Sequence, residues 1–234
     1  HMQKEDFNAA KEDLGKLLAI APRYTRAYLM RGEVNLKQND TIQALKDFDK
    51  AIDMDRYDPD GWAARAIVRL QQSDYKEAEK DLDQAIHLSA RNSGNYINRA
   101  LARFHQNNLR GAMSDYDLAL DIDPNNFLGH YNRGLLRAQV GDDNRAIEDF
   151  DHRAEARKKI GDRKGAEQDE FKLMKMQLDK RNGVTTGGND KDVADNADGN
   201  SGKDNGKTRK KSDKNMDNYR KIVIADDSEV EQRY

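Results

Sequence analysis

The sequence predicts an all-α chain, a solenoid of antiparallel helix pairs stacked one on the next. Three observations predict it. First, four ladders share one period: Arg31, Arg65, Arg99 and Arg133 stand 34 residues apart, as do Ala44, Ala78, Ala112 and Ala146. Asp47, Asp81, Asp115 and Asp149 follow the same clock, and so do Phe48, Leu82, Tyr116 and Phe150. Second, each period holds two helical stripes; Tyr96, Ala100, Arg103 and Phe104 mark the first helix of one unit, and Ala112, Tyr116, Ala119 and Leu120 the second. Third, the chain is 36% charged and 36% hydrophobic, which suits thin helical layers better than one thick core.

The elements follow in order. Residues 3–24 match only the second helix of a unit, through Asp6, Ala10, Leu14, Leu17 and Pro22. Residues 25–58, 59–92 and 93–126 are complete units. Short polar turns such as Gln-Asn-Asp and Gln-Ser-Asp separate their helices, and the Asp or Asn of each turn can cap the second helix. Pro59 after Asp58 is a cap followed by an N1 proline. Residues 127–152 open a further unit, and then the clock slips. "GD" at 141–142 recurs at 161–162, fourteen residues early, so Arg153, Asp162, Ala166 and Asp169 reach the ladders ahead of time. Either residues are missing between His152 and Arg153, or one fused helix runs from about 143 to 160; the ladder spacing favours missing residues. Residues 153–181 form a partial unit and a terminal helix. Residues 182–215, rich in Gly, Asn, Asp, Lys and Ser, are expected to be a disordered linker. In residues 216–234, "KIVIADDS" suggests a short strand.

These spacings resemble the tetratricopeptide repeat (TPR) family. The matching positions are an aromatic at the fourth (Tyr28, Trp62, Tyr96), a small residue at the eighth (Gly32, Ala66, Ala100, Gly134) and alanine at the twentieth and twenty-seventh (Ala51, Ala85, Ala119). The pattern departs at His130, and Arg56 and Ala90 stand where a terminal proline is usual. The resemblance implies a right-handed solenoid and a non-catalytic scaffold. It also implies a concave groove lined by first helices: Leu29, Ile97 and Tyr131; Glu33, Ile67, Leu101 and Leu135; Lys37, Gln71, His105 and Gln139. Asn98 and Asn132 appear there without the lysines of a carboxylate-binding clamp, so a chaperone tail is not the expected ligand. The phrase "YNRGLLR…GD…AI" with the Gly/Asn-rich tail resembles large exported TPR proteins of gut Bacteroidetes. A periplasmic or envelope location follows if a leader has been removed, and a cytoplasmic one otherwise.

The family usually has Leu at the seventh position and Tyr at the twenty-third. Here Arg31, Arg65, Arg99, Arg133 and the displaced Arg153 replace the first, and Asp47, Asp81, Asp115, Asp149 and Asp169 the second. Paired replacement suggests a guanidinium–carboxylate clamp between the two helices of a unit. The alternative reading gives the arginines to an acidic peptide or phosphate. A second arginine run, Arg69, Arg103 and Arg137, lies one turn on, and a second aspartate run is Asp49, Asp83, Asp117 and Asp151.

Other functions find little support. The net charge of −2 gives no pull toward nucleic acid or membrane, and no apolar run approaches membrane-spanning length. No cysteine is present, and His87, His105, His130 and His152 lie in different phases of the repeat, so no metal or cofactor is expected. The acidic residues follow the 34-residue period and do not form a catalytic pair. The basic "GKTRKK" is diluted by aspartates. The expected function is therefore a protein-binding scaffold, the alternative being self-association or stacking on a neighbouring domain through the open repeat ends.

Overall fold

The computed structural model describes residues 2–182, with side chains from residue 6 onward. The expected linker beyond Asn182 and the KIVIADDS segment lie outside the described residues. Ten α-helices occur among the described residues: α1 (Met2–Ile20), α2 (Thr25–Lys37), α3 (Thr41–Met54), α4 (Pro59–Gln71), α5 (Tyr75–Leu88), α6 (Ser93–His105), α7 (Leu109–Ile122), α8 (Phe127–Gln139), α9 (Asp143–Lys159) and α10 (Arg163–Arg181). The chain divides into two units, the first ending at Asp115 and the second starting at Tyr116.

One turn design joins the two helices of each pair. Asn39, Ser73 and Asn107 adopt positive φ (60°, 62° and 62°), and Gly141 and Gly161 take the same left-handed region. The next residue then donates to a carbonyl five residues back: Asp40 to Asn35, Asp74 to Arg69, Asn108 to Arg103, Asp142 to Arg137 and Asp162 to Arg157. This is a Schellman closure, and it satisfies carbonyls that the helix end leaves free. The closing residue also starts the next helix. Side chains of Asp40, Asn108, Asp142 and Asp162 accept from the backbone N–H three residues on.

In the first unit, α2 packs on α3, α4 on α5, α3 on α4 and α5 on α6, while α1 lies against α2. A core of Leu29, Ala44, Phe48, Ala51 and Val68 fills the space between α2, α3 and α4. Leu14, Leu18 and Ala27 tie α1 to α2. The α2–α3 pair is closely fitted. Gly32 faces Phe48, whereas Ala66 stands on the same rung as the smaller Leu82. A Cβ at Gly32 would lie 2.8 Å from Phe48 Cδ1, inside any normal contact. Gly32→Ala is therefore expected to lose about 1–3 kcal/mol by overpacking, read as a lower denaturation midpoint in urea. Ala66→Gly would leave the opposite defect, a small void.

In the second unit the alternative offered above, one fused helix from about 143 to 160, is the arrangement found. The chain runs from His152 into Arg153 as one continuous helix, α9, which packs on both α8 and α10. Its first half carries second-helix rungs (Ala146, Asp149, Phe150), and its second half carries first-helix rungs (Arg153, Arg157). One helix thus serves two pairs. Leu135, Ala138, Ala146 and Phe150 form the core here, with Leu173 and Met176 of α10 packed against it.

Candidate functional site

The arginine–aspartate rungs meet at the interface of the two helices in a pair. Arg65 donates through Nε and Nη2 to the two oxygens of Asp81, at 2.9 and 2.7 Å. Arg99 holds Asp115 the same way at 3.0 and 2.7 Å, and Arg31 holds Asp47 at 3.0 and 2.5 Å. Arg133 donates to Asp149, with its shortest bond 2.7 Å. At the slipped end Arg153 reaches Asp169 through Nη1 at 2.8 Å, while its buried Nε finds no partner among the described residues. The carboxylates are the buried members, with Asp149 fully enclosed and Asp115 only 1% exposed.

The second arginine run converges on the same carboxylates. Arg69, Arg103, Arg137 and Arg157 reach Asp81, Asp115, Asp149 and Asp169 at 2.6, 2.8, 2.8 and 3.2 Å. Asn35 takes this role in the first pair, donating to Asp47 at 3.0 Å. The second aspartate run links neighbouring pairs. The remaining Nη1 of Arg65, Arg99 and Arg133 binds Asp49, Asp83 and Asp117 of the preceding second helix, at 2.7, 2.8 and 2.8 Å. Each of these guanidiniums therefore bridges two carboxylates on two different helices.

The ionisation states follow. Burial alone would push Asp149 up, but hydrogen bonds from His130 and Arg133, with the charges of Arg133 and Arg137, hold it below the ordinary carboxylate range. Burial opposes charge on Arg65 and Arg99 too, and bonds to two carboxylates raise both above the usual arginine value. The slipped end behaves differently. Burial, then the charge of Arg157, lower Arg153 to about 10, with Asp169 opposing, and burial raises Asp169.

His130 occupies the seat its aromatic counterparts hold. Tyr28 Oη donates to Pro22 O at 3.2 Å, Trp62 Nε1 to Arg56 O at 3.0 Å and Tyr96 Oη to Ala90 O at 3.2 Å. His130 Nε2 lies 3.0 Å from Pro124 O, and its Nδ1 lies 3.1 Å from Asp149. For Tyr28, Trp62 and Tyr96 the acceptor is a backbone carbonyl, so Arg56 and Ala90 serve as well as proline does.

The expected groove residues separate into two groups. Leu29, Ile97, Asn98, Leu101, Asn132 and Leu135 are buried and offer no surface to a partner. Their helices pack closely enough that these positions belong to the core, which corrects the expectation for them. Glu33, Lys37 and Gln71 are exposed, and Ile67, His105, Tyr131 and Gln139 are half-buried. In the first unit, α4 contacts both α2 and α6, so these three first helices lie side by side. His105 stacks on Tyr75 with ring centroids 4.3 Å apart, and burial lowers its pKa. In the second unit Tyr131 is covered: Arg153 lies 3.8 Å and Lys172 4.7 Å from its ring centre. Lys172 lies on no ladder, and no periodic signal in the sequence points to it. Among the described residues, no group of three or more His, Asp or Glu side chains could hold a metal ion, and no helix is long and apolar enough to cross a membrane.

Residues 1–59 match the family described as Tetratricopeptide repeat, and residues 100–141 match TPR repeat. Among curated proteins none matches the chain. Similar solved structures include MamA, with a TM-score of 0.61 at 19% identity over 69% of this chain and 94% of that one. MamA 41-end from Desulfovibrio magneticus RS-1 gives 0.55 at 16% identity over 76% and 89%. YrrB, described as a TPR protein with an unusual peptide-binding site, gives 0.55 at 16% identity over 72% and 94%. Likeness at these identities speaks to fold alone: residues 1–59 and 100–141 match tetratricopeptide repeats, and the sequential antiparallel helix pairs of the described residues are TPR-like.

Proposed function

We propose that the chain is a non-catalytic scaffold that holds a segment of a partner protein along the first helices of its first unit. The observation that carries this reading is the side-by-side placement of α2, α4 and α6, which leaves Glu33, Lys37 and Gln71 exposed beside the half-buried Ile67 and His105. A surface prebuilt on rigid helices lowers the ordering cost on the scaffold's side of binding. The peptide-binding site described for YrrB supports the reading by analogy of fold. The export implied by the Bacteroidetes resemblance belongs to the same proposal, and would place the partner in the periplasm or envelope.

The test is capture by the intact chain followed by mass spectrometry, in parallel with an Ile67→Glu, Gln71→Glu variant of unchanged melting temperature. A partner held by the wild type and released by the variant is the expected result. Capture indifferent to the variant, or no capture, rejects the reading.

Self-association is the second reading, and one observation favours it. On α10, Phe171, Met174 and Leu178 recur at helical spacing and are 67%, 60% and 52% exposed among the described residues, an apolar face on that helix. Sedimentation of the intact chain at micromolar concentration separates the two, since a strict monomer excludes assembly.

A further inference from the structure

The ladder lacks two parts at its first rung. Arg65, Arg99 and Arg133 each bind a second carboxylate through Nη1, from Asp49, Asp83 and Asp117. Thirty-four residues before Asp49 stands Gly15, which has no side chain to offer. A Cβ built at Gly15 meets nothing within 4 Å, so the space is open. Arg31 bonds Asp47 through Nε and Nη2, and its Nη1 has no partner among the described residues. Its side chain is 26% exposed, against 14–15% for the three bridged arginines.

The place of the second arginine is also open. Asn35 stands where Arg69 and its counterparts stand, and its shorter side chain leaves a cavity of ≈ 480 Å³ lined by Lys11, Arg31, Asn35, Gln43 and Asp47. Asn35 Nδ2 is fixed on Asp47, and its buried Oδ1 has no hydrogen-bond partner. Asp47 is already engaged by Arg31 and Asn35. The Lys11 ammonium also lines the opening, 3.7 Å from the Asp40 carboxylate. Arg31 and Lys11 thus line the opening, each beside one carboxylate, while the second carboxylate that bridges the later rungs has no counterpart at Gly15.

We propose that this seat binds an aspartate or glutamate side chain of a partner polypeptide. The carboxylate takes Arg31 Nη1, as Asp49 takes that of Arg65, and Lys11 adds its charge at the mouth. None of these residues belongs to the exposed face of α2, α4 and α6, so the seat stands or falls apart from the scaffold reading.

The experiment uses the full chain at low salt with fluorescent hexaglutamate and hexaglutamine peptides, read by anisotropy. Wild type and Gly15→Ala should bind hexaglutamate and neither should bind hexaglutamine. Gly15→Asp, which supplies the carboxylate in cis, should weaken hexaglutamate binding at least tenfold and melt a few degrees above Gly15→Ala. Lys11→Glu, on a partly exposed side chain, should weaken binding to a similar extent without touching the rung. Equal hexaglutamate binding by wild type, Gly15→Asp and Lys11→Glu, or no binding by wild type, overturns the proposal.

Discussion

Replacing Arg99 with leucine is expected to destabilise the first unit by about 3 kcal/mol, the lower end of the range for breaking a buried pair. The guanidinium contributes two bonds to Asp115 and one to Asp83. Without it Asp115, only 1% exposed, keeps Arg103 alone. That surviving partner limits the loss, and the mostly exposed Asp83 returns to water at little cost. For a chain of this length the melting temperature should fall by roughly 6–12 °C. Arg31→Leu should cost less, because Arg31 holds one carboxylate and is more exposed. Urea denaturation of both variants checks the order. An unchanged Arg99→Leu midpoint combined with loss of a bound partner would show that the arginines serve a ligand and not the helix interface.

Lys172→Met is expected to stabilise the second unit at pH 7 by about 1 kcal/mol, an opposite sign for the removal of a charge. The ammonium lies 4.7 Å from the Tyr131 ring centre and 4.4 Å from that of Phe150. Burial, then the charge of Arg153, press its pKa down to about 8, with Asp169 opposing. Asp169 already serves Arg153 and Arg157. A lysine whose folded pKa lies below its unfolded value of about 10.4 destabilises the fold wherever the folded form is charged. That penalty is complete below about pH 8 and fades as pH rises toward 10.4. Attraction to the two rings offsets part of it, which is why the expected gain is modest. Thermal melts from pH 7 to 10 provide the check. The wild type should gain on the variant across that window, so that the two curves converge. A variant less stable than wild type at pH 7 would show that ring contact outweighs burial.

Much of this architecture was legible in the residues. The period places Arg and Asp sixteen apart within a pair, and two short helices joined by a tight turn bring such positions face to face. The turns were legible too, because Asp or Asn recurs where a helix must begin. The groove was only partly so. Leu29 and Ile67 occupy neighbouring lines of the same inferred face, yet Leu29 is 2% exposed and Ile67 half-buried. How closely the neighbouring helices approach decides that, and a one-dimensional pattern carries no such distance.

The slip after Asp151 shows the limit from the other side. The residues between the two "GD" turns signal two incompatible roles, and the ladder count favours a gap. A continuous helix satisfies both roles at once, since α9 has a face for α8 and another for α10. By itself the sequence determined the repeat, its helix pairs and the residue types at each rung, because these depend on local spacing and turn chemistry. Only the tertiary structure decided that Arg65, Arg99 and Arg133 each clasp two carboxylates, that Arg31 clasps one, and that Lys172 is pressed onto two rings. Those outcomes depend on which side chains from distant parts of the chain enter the same few ångströms, and on how much water remains there.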